Sequence, residues 1–69
     1  MKRAAKIQPR MMTLEETASY WGLPAYTFWE LMLQGVAPGP LDIAVFGRVL
    51  FDREEQDPAI DALRQQSRV

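Results

Sequence analysis

The sequence contains no cysteine and no histidine among its 69 residues. The missing cysteine excludes disulfide bonds and thiolate zinc sites, and the missing histidine removes the side chain most often used as general base and metal ligand. No nucleophile has an adjacent base, and no glycine-rich loop could hold a phosphate. We therefore expect neither an enzyme nor a protein with a metal, a cofactor or a small-molecule substrate.

A long apolar run is also missing. No window approaches the roughly 20 apolar residues of a membrane-spanning helix, and the basic start MKRAAKIQPRMM lacks the apolar stretch of a signal peptide. We expect a cytoplasmic protein without a membrane partner. With 48% hydrophobic and 25% charged residues, a chain of this length can form one small folded domain.

Positive charge is scarce outside the N-terminus. The net charge is −1, but residues 1–10 contain four of the eight basic residues and none of the nine acidic ones. A short basic arm ahead of an acidic body can follow a phosphate backbone, and a solubilising tail is the alternative. The basic residues of this predicted flexible arm are Lys2, Arg3, Lys6 and Arg10.

Two short helices separated by Gly22 are predicted next. The sequence TLEE, starting at Thr13, is typical of a capping box, and Gly22 can adopt the left-handed conformation that ends a helix. The first helix is therefore predicted over 13–21. Proline is tolerated in a first helical turn, so Pro24 opens a second helix over 24–34. Two helices around a short glycine turn form the helix-turn-helix motif.

The second predicted helix is apolar around most of its circumference. Phe28, Leu31 and Met32 form the stripe expected to face the core. An aromatic residue outside that stripe can either fill the core of so small a chain or anchor a partner, and both interpretations stay open for Tyr26 and Trp29. A second apolar line runs along the same helix, through Ala25, Trp29 and Leu33.

A β-hairpin and a third helix are predicted in the second half of the chain. The sequence LDIAVFGRVLF alternates around Gly47, which predicts two strands that lean on the helices as a wing. The Asp-Pro pair at Asp57 is typical of a helix start, so a third helix is predicted over 58–66, followed by a frayed end over 67–69. The predicted fold is mostly α with a small β-hairpin, a single winged helix-turn-helix domain over 11–66.

The motifs of the chain follow one another in a specific order. A Thr-x-x-Glu-x-Ala helix precedes a glycine-leucine turn, a threonine-bearing helix ends in Gly-x-x-Pro, and a Gly-Arg pair lies in the predicted wing. This order resembles the small excisionase-type DNA-binding proteins of the MerR-like winged-helix superfamily, over residues 11–63. The matching residues are Thr13, Glu16, Ala18, Gly22, Leu23, Thr27, Leu31, Gly35, Pro38, Gly47, Arg48 and Phe51.

The resemblance implies a transcriptional regulator or a recombination accessory factor. In that family the second helix docks in the major groove of double-stranded DNA and the wing lies across an adjacent groove or the backbone. Relatives commonly carry basic residues around the positions of Ala25 and Glu30, and this chain does not. The implied partners are DNA, a second copy of the chain, or a recombination or transcription protein. The implied DNA contacts in the body of the domain are Ala25, Tyr26, Thr27, Glu30 and Arg48.

The uncharged second helix leaves a different interpretation open. Residues 23–34 contain no lysine or arginine, so this helix supplies no electrostatic attraction to DNA. A winged-helix scaffold can instead act as a non-catalytic protein-interaction module that presents an apolar helix face to a partner. The face in question is the line through Ala25, Trp29 and Leu33.

Overall fold

The computed structural model describes residues 9–67. These residues form four helices and a small two-stranded antiparallel sheet, which confirms the predicted class of a mostly helical fold with little β-structure. None of the helices in this part of the chain has the length and apolarity that crossing a bilayer requires. The elements in chain order are β1 (Met11–Met12), α1 (Leu14–Trp21), α2 (Ala25–Leu33), α3 (Ile43–Phe46), β2 (Phe51–Asp52) and α4 (Arg53–Gln66).

α1 begins and ends as its sequence predicts. The Thr13 hydroxyl oxygen accepts from the backbone N–H of Glu16 at 3.2 Å, and the Glu16 carboxylate accepts from the N–H of Thr13 at 2.9 Å. At the other end Gly22 has φ 77°, a left-handed conformation in which a β-carbon would be strained. A turn of three residues then leads into α2.

The core lies where α1, α2 and β2 meet. Phe28 of α2 is fully buried, and its ring packs edge-on against Trp21 at 5.7 Å and Phe51 at 5.4 Å between ring centroids. Such edge-to-face pairs are favourable beyond the area they bury. The other buried members of this cluster are small, and a ring of half-buried side chains covers it: Leu14, Trp21, Ala25, Leu31 and Met32.

The hairpin predicted over 41–51 is wrong. The carboxylate of Asp42 accepts from the N–H of Ala44 at 2.9 Å and starts the short helix α3, which ends at Gly47 with φ 73°. The local hydrogen bond of the Asp42 side chain gives the backbone an alternative to a strand ladder. The base of the excursion is still closed, because the Leu41 N–H donates to the Leu50 carbonyl at 2.8 Å. We call residues 41–50 the α3 loop.

The sheet instead pairs the segment directly before α1 with the segment directly before α4. β1 and β2 are antiparallel, with Met11 opposite Asp52 and Met12 opposite Phe51. Met12 and Phe51 are both fully buried, so the pairing also adds to the apolar interior. Met11 and Met12 are thereby fixed beside the start of α4.

α4 begins at Arg53, so the helix start predicted at Asp57 and Pro58 is wrong. The side chain of Asp52 caps the helix by accepting from the N–H of Glu54 at 3.0 Å, and two acidic residues in the first turn favour the positive end of the helix. Pro58 therefore lies inside the helix and removes one backbone donor. The helix nevertheless continues through Pro58 to Gln66.

Candidate nucleic-acid interface

The turn between α1 and α2 is held by backbone hydrogen bonds. The N–H of Gly22 donates to the Ser19 carbonyl, and the N–H of Leu23 donates to the Ala18 carbonyl, both at 2.9 Å. The left-handed Gly22 lets both bonds form at once. α2 therefore leaves α1 in one fixed direction, with Phe28 anchored in the core.

The side of α2 that faces away from the core is open. Residues spaced i, i+3, i+4 and i+7 share one face of a helix, and the exposed residues of α2 have this spacing. Tyr26 is 72% exposed, Leu33 is 69% exposed and Trp29 is 42% exposed. We call this surface the outer face of α2; it consists of Tyr26, Trp29, Glu30 and Leu33.

The outer face contains only part of each predicted set of contacts. Of the predicted base-facing residues, Tyr26 and Glu30 are exposed, whereas Ala25 and Thr27 are half-buried. Ala25 packs against the core cluster, so the structure separates it from the other two residues of the apolar line. Trp29 and Tyr26 are exposed, so the interpretation of these aromatic residues as core is wrong, and their role as partner anchors stays a prediction.

The first turn of α2 has no side-chain cap. Pro24 occupies the N-cap position, no side chain accepts a hydrogen bond there, and no acidic residue lies in the first turn. The backbone N–H groups of a helix start attract anions, and DNA-binding helices use them to contact phosphates. The N–H groups at this end of α2 can therefore donate to a phosphate without displacing a capping side chain.

Arg48 is exposed and directly follows Gly47 in the α3 loop. The apolar residues near it are also exposed. Their exposure was not predicted, because the alternation of apolar and polar residues suggested a strand with one buried face. The signal for a short helix was the pair of Asp42, which can cap a helix start, and Gly47 five residues later, which can end the helix. The exposed apolar side chains of the loop are Ile43, Val45, Phe46 and Val49.

Arg10, the last basic residue of the predicted arm, is bound to the domain. Its Nε and Nη2 atoms donate to the two carboxylate oxygens of Asp52 at 2.9 and 3.0 Å, and Nη2 lies 3.4 Å from Glu54. The hydrogen bond from Arg10 holds the pKa of Asp52 below its usual value, and the same bond raises the pKa of Arg10. The Arg10 carbonyl also accepts from the N–H of Arg53 at 2.7 Å.

The other predicted arm contacts, Lys2, Arg3 and Lys6, lie outside the described residues. Arg10 is therefore the one basic residue of the predicted arm whose contacts the structure describes. The sequence offered no local signal for its pairing with Asp52, because 42 positions separate the two residues. Among residues 9–67 no three acidic side chains converge where they could hold a metal ion.

The chain matches no protein-family model, no curated protein and no solved structure. The function therefore has to be inferred from the arrangement of its own residues.

Proposed function

We propose that this chain is a small DNA-binding protein of the excisionase or MerR-like type, acting as a transcriptional regulator or recombination accessory factor. Its fold would be a winged helix-turn-helix in which the α3 loop takes the place of the wing. The observation that carries the proposal is the open outer face of α2, on a helix fixed from behind by Phe28 and preceded by a three-residue turn. A single α-helix with one open face fits the major groove of B-DNA.

The attraction to DNA would come from outside α2. Lys2, Arg3, Lys6 and Arg48 are the basic residues to which we assign the phosphate contacts, whereas Arg10 is paired with Asp52. If each of these four neutralises one phosphate, the logarithm of the affinity falls with the logarithm of the salt concentration with a slope of about −3.6. α2 would then position the protein and contact base edges. Weak attraction per copy favours binding as a dimer or on clustered sites.

The position of α2 on DNA can be tested with one charge reversal and a matched control. Glu30→Lys places a cation on the outer face of α2, and Asp61→Lys makes the same charge change on the exposed surface of α4. One added phosphate contact steepens the salt slope by about 0.9 and strengthens binding roughly eightfold at 0.1 M salt. We expect this gain for Glu30→Lys and a much smaller one for Asp61→Lys, in fluorescence-anisotropy titrations of an AT-rich duplex.

Two results would contradict the proposal. Equal gains for both variants would mean that net charge alone is responsible and that α2 does not dock on DNA. A wild-type protein that binds no duplex even at low salt would remove DNA binding altogether.

The second candidate function is a protein-interaction module on the same scaffold, with a second copy or another protein as partner. The exposure of Trp29 and Leu33 on the outer face of α2 favours it, because apolar side chains in an exposed patch mark interaction surfaces. On this alternative Trp29→Ala abolishes self-association in sedimentation equilibrium while the melting temperature stays close to that of the wild type. A wild-type protein that sediments with the mass of a monomer at high protein concentration, as the variant does, would exclude the dimer.

A further inference from the structure

The last turn of α1 is connected to α4 by two neighbouring hydrogen bonds. The indole N–H of Trp21 donates to Oε1 of Gln56 at 2.9 Å, and the hydroxyl of Tyr20 donates to the carboxylate of Asp57 at 2.7 Å. The two bonds differ in their surroundings, because the Trp21–Gln56 bond is part-buried, with Gln56 itself fully buried, while the Tyr20–Asp57 bond is exposed. A bond that is shielded from water holds its partners more firmly, since less water competes for the donor and the acceptor.

Gln56 also makes a bond in the opposite direction. Its Nε2 donates to the backbone carbonyl of Asp52 at 3.2 Å, and the carboxylate of Asp52 holds both donors of Arg10. A continuous chain of hydrogen bonds therefore runs from Arg10 through Asp52 and Gln56 to Trp21. We call it the Gln56 chain.

The two ends of the Gln56 chain are the two parts that DNA binding has to coordinate. Trp21 is the last residue of α1, directly before the turn into α2, and its ring packs edge-on against Phe28 of α2. Arg10 is the last basic residue of the predicted arm and is bound by the carboxylate of Asp52. The chain thus connects the ring that packs against α2 with Arg10, which we call the arm root.

We propose that Gln56 is a positioning residue that holds α2 in one orientation relative to the arm root at Arg10. The inference rests on the proposed function. α2 has no cation of its own, so it gains affinity only if the arm is already attached to the same duplex at the correct distance. Two contacts that are linked at a fitting distance raise each other's effective concentration, and this advantage is lost when the geometry is wrong. A buried amide fixes direction as well as distance, whereas an apolar side chain at this position would supply packing alone.

The test uses Gln56→Met, which keeps the length of the side chain and removes both of its hydrogen bonds. Trp21→Phe breaks the same chain from the other side and retains a ring against Phe28, so it replaces Gln56→Met if that variant does not fold. Each change leaves a polar group unpaired, and we expect the melting temperature to fall by roughly 5 to 20 °C. All binding measurements are made well below the lowest melting temperature.

Two control variants separate positioning from stability. Tyr20→Phe removes the neighbouring, exposed bond between the same helices and leaves the Gln56 chain complete. Ile60→Ala shortens a half-buried side chain of α4 and lowers the melting temperature without touching the chain. If Gln56 only stabilised the fold, Gln56→Met would lower the melting temperature but leave the orientation of α2 and the binding of DNA as they are in the controls.

The first measurement is the orientation of α2 relative to α4 in the free protein, from residual dipolar couplings of backbone amides. We expect the angle to change by more than about 10° or to become averaged in Gln56→Met, and to stay as in the wild type in both controls. The second measurement is the affinity for an AT-rich duplex at one fixed salt concentration. We expect it to fall roughly tenfold or more in Gln56→Met, because α2 and the basic residues no longer engage one duplex at the fitting distance, and to be unchanged in the controls.

The outcomes separate this inference from the proposed function. An unchanged orientation of α2 in Gln56→Met overturns the inference, and so does a changed orientation with wild-type DNA binding. If the wild-type protein binds no duplex, the proposed function fails; the orientation measurement then still decides whether Gln56 positions α2.

Discussion

Replacing Phe28 with alanine should come close to unfolding this protein. Phe28 is fully buried and packs edge-on against Trp21 and Phe51. Truncation of a core phenylalanine to alanine typically costs about 3 to 5 kcal/mol, and the two lost ring contacts place this site toward the upper end. A domain of 69 residues has a total stability of roughly 3 to 10 kcal/mol at about 0.05 to 0.15 kcal/mol per residue. The variant should therefore lose at least about half of its stability, and a domain at the lower end of this range unfolds.

Urea denaturation followed by far-UV circular dichroism measures this loss. Tyr26→Ala is the matched control, because it truncates an aromatic residue of the same helix whose side chain is 72% exposed. We expect the control to change the free energy of unfolding by less than about 0.5 kcal/mol. The two variants together report which side of α2 faces the core.

The refuting result is a Phe28→Ala protein that unfolds cooperatively with a loss below about 1 kcal/mol. The ring would then not lie between Trp21 and Phe51, and α2 would be rotated about its axis. A large loss for Tyr26→Ala would have the same meaning. Either result would also move Tyr26, Trp29 and Glu30 off the open side of the helix and remove the basis for the proposed DNA-binding surface.

Three further predictions concern single residues. The pKa of Asp52 is lowered in the folded state by the hydrogen bond from Arg10. The resulting stabilisation is present above the unfolded pKa and is lost as the pH falls below about 4. It should be absent in Asp52→Asn, and an identical pH dependence of urea unfolding in both proteins would argue against the pair. Lys6→Ala should reduce the salt slope of DNA binding by about 0.9, and an unchanged slope would show that Lys6 contacts no phosphate. Gly22→Ala should cost about 1 kcal/mol from the left-handed backbone alone, because nothing lies within 4 Å of an added β-carbon; an unchanged melting temperature would contradict the conformation of the turn.

On the proposed function, the open face of α2 explains how a DNA-reading helix can lack positive charge. Phosphate contacts supply attraction and register, whereas base edges are read by hydrogen bonds and apolar contacts. Tyr26, Glu30 and Trp29 offer donors, acceptors and apolar surface, and none of these functions requires a cation. Because attraction and base reading come from different parts of the protein, DNA binding depends on how those parts are placed relative to each other. Holding that placement is the role that we assign to Gln56.

The sequence by itself determined the elements that depend on neighbours within about four residues. The side chains of the capping box at Thr13 bond to their own helix end, Gly22 takes the left-handed conformation, and α2 is confined between Pro24 and Gly35. The same local signals were present at Asp42 and Asp52, where aspartate starts α3 and α4. There the apolar alternation and the Asp-Pro pair pointed elsewhere, and the energies of competing local patterns are too close for the pattern alone to choose between them.

Tertiary structure decided everything that joins distant parts of the chain. Met11 pairs with Asp52, Arg10 binds the same aspartate, and Trp21 meets Gln56, although 35 or more positions separate the partners. No local pattern specifies such contacts, because each depends on how the whole chain closes around Phe28. The same closure assigned Ala25 to the core and left Tyr26, Trp29, Glu30 and Leu33 outside, since a helix that is apolar on most sides can be buried on only one of them in so small a domain.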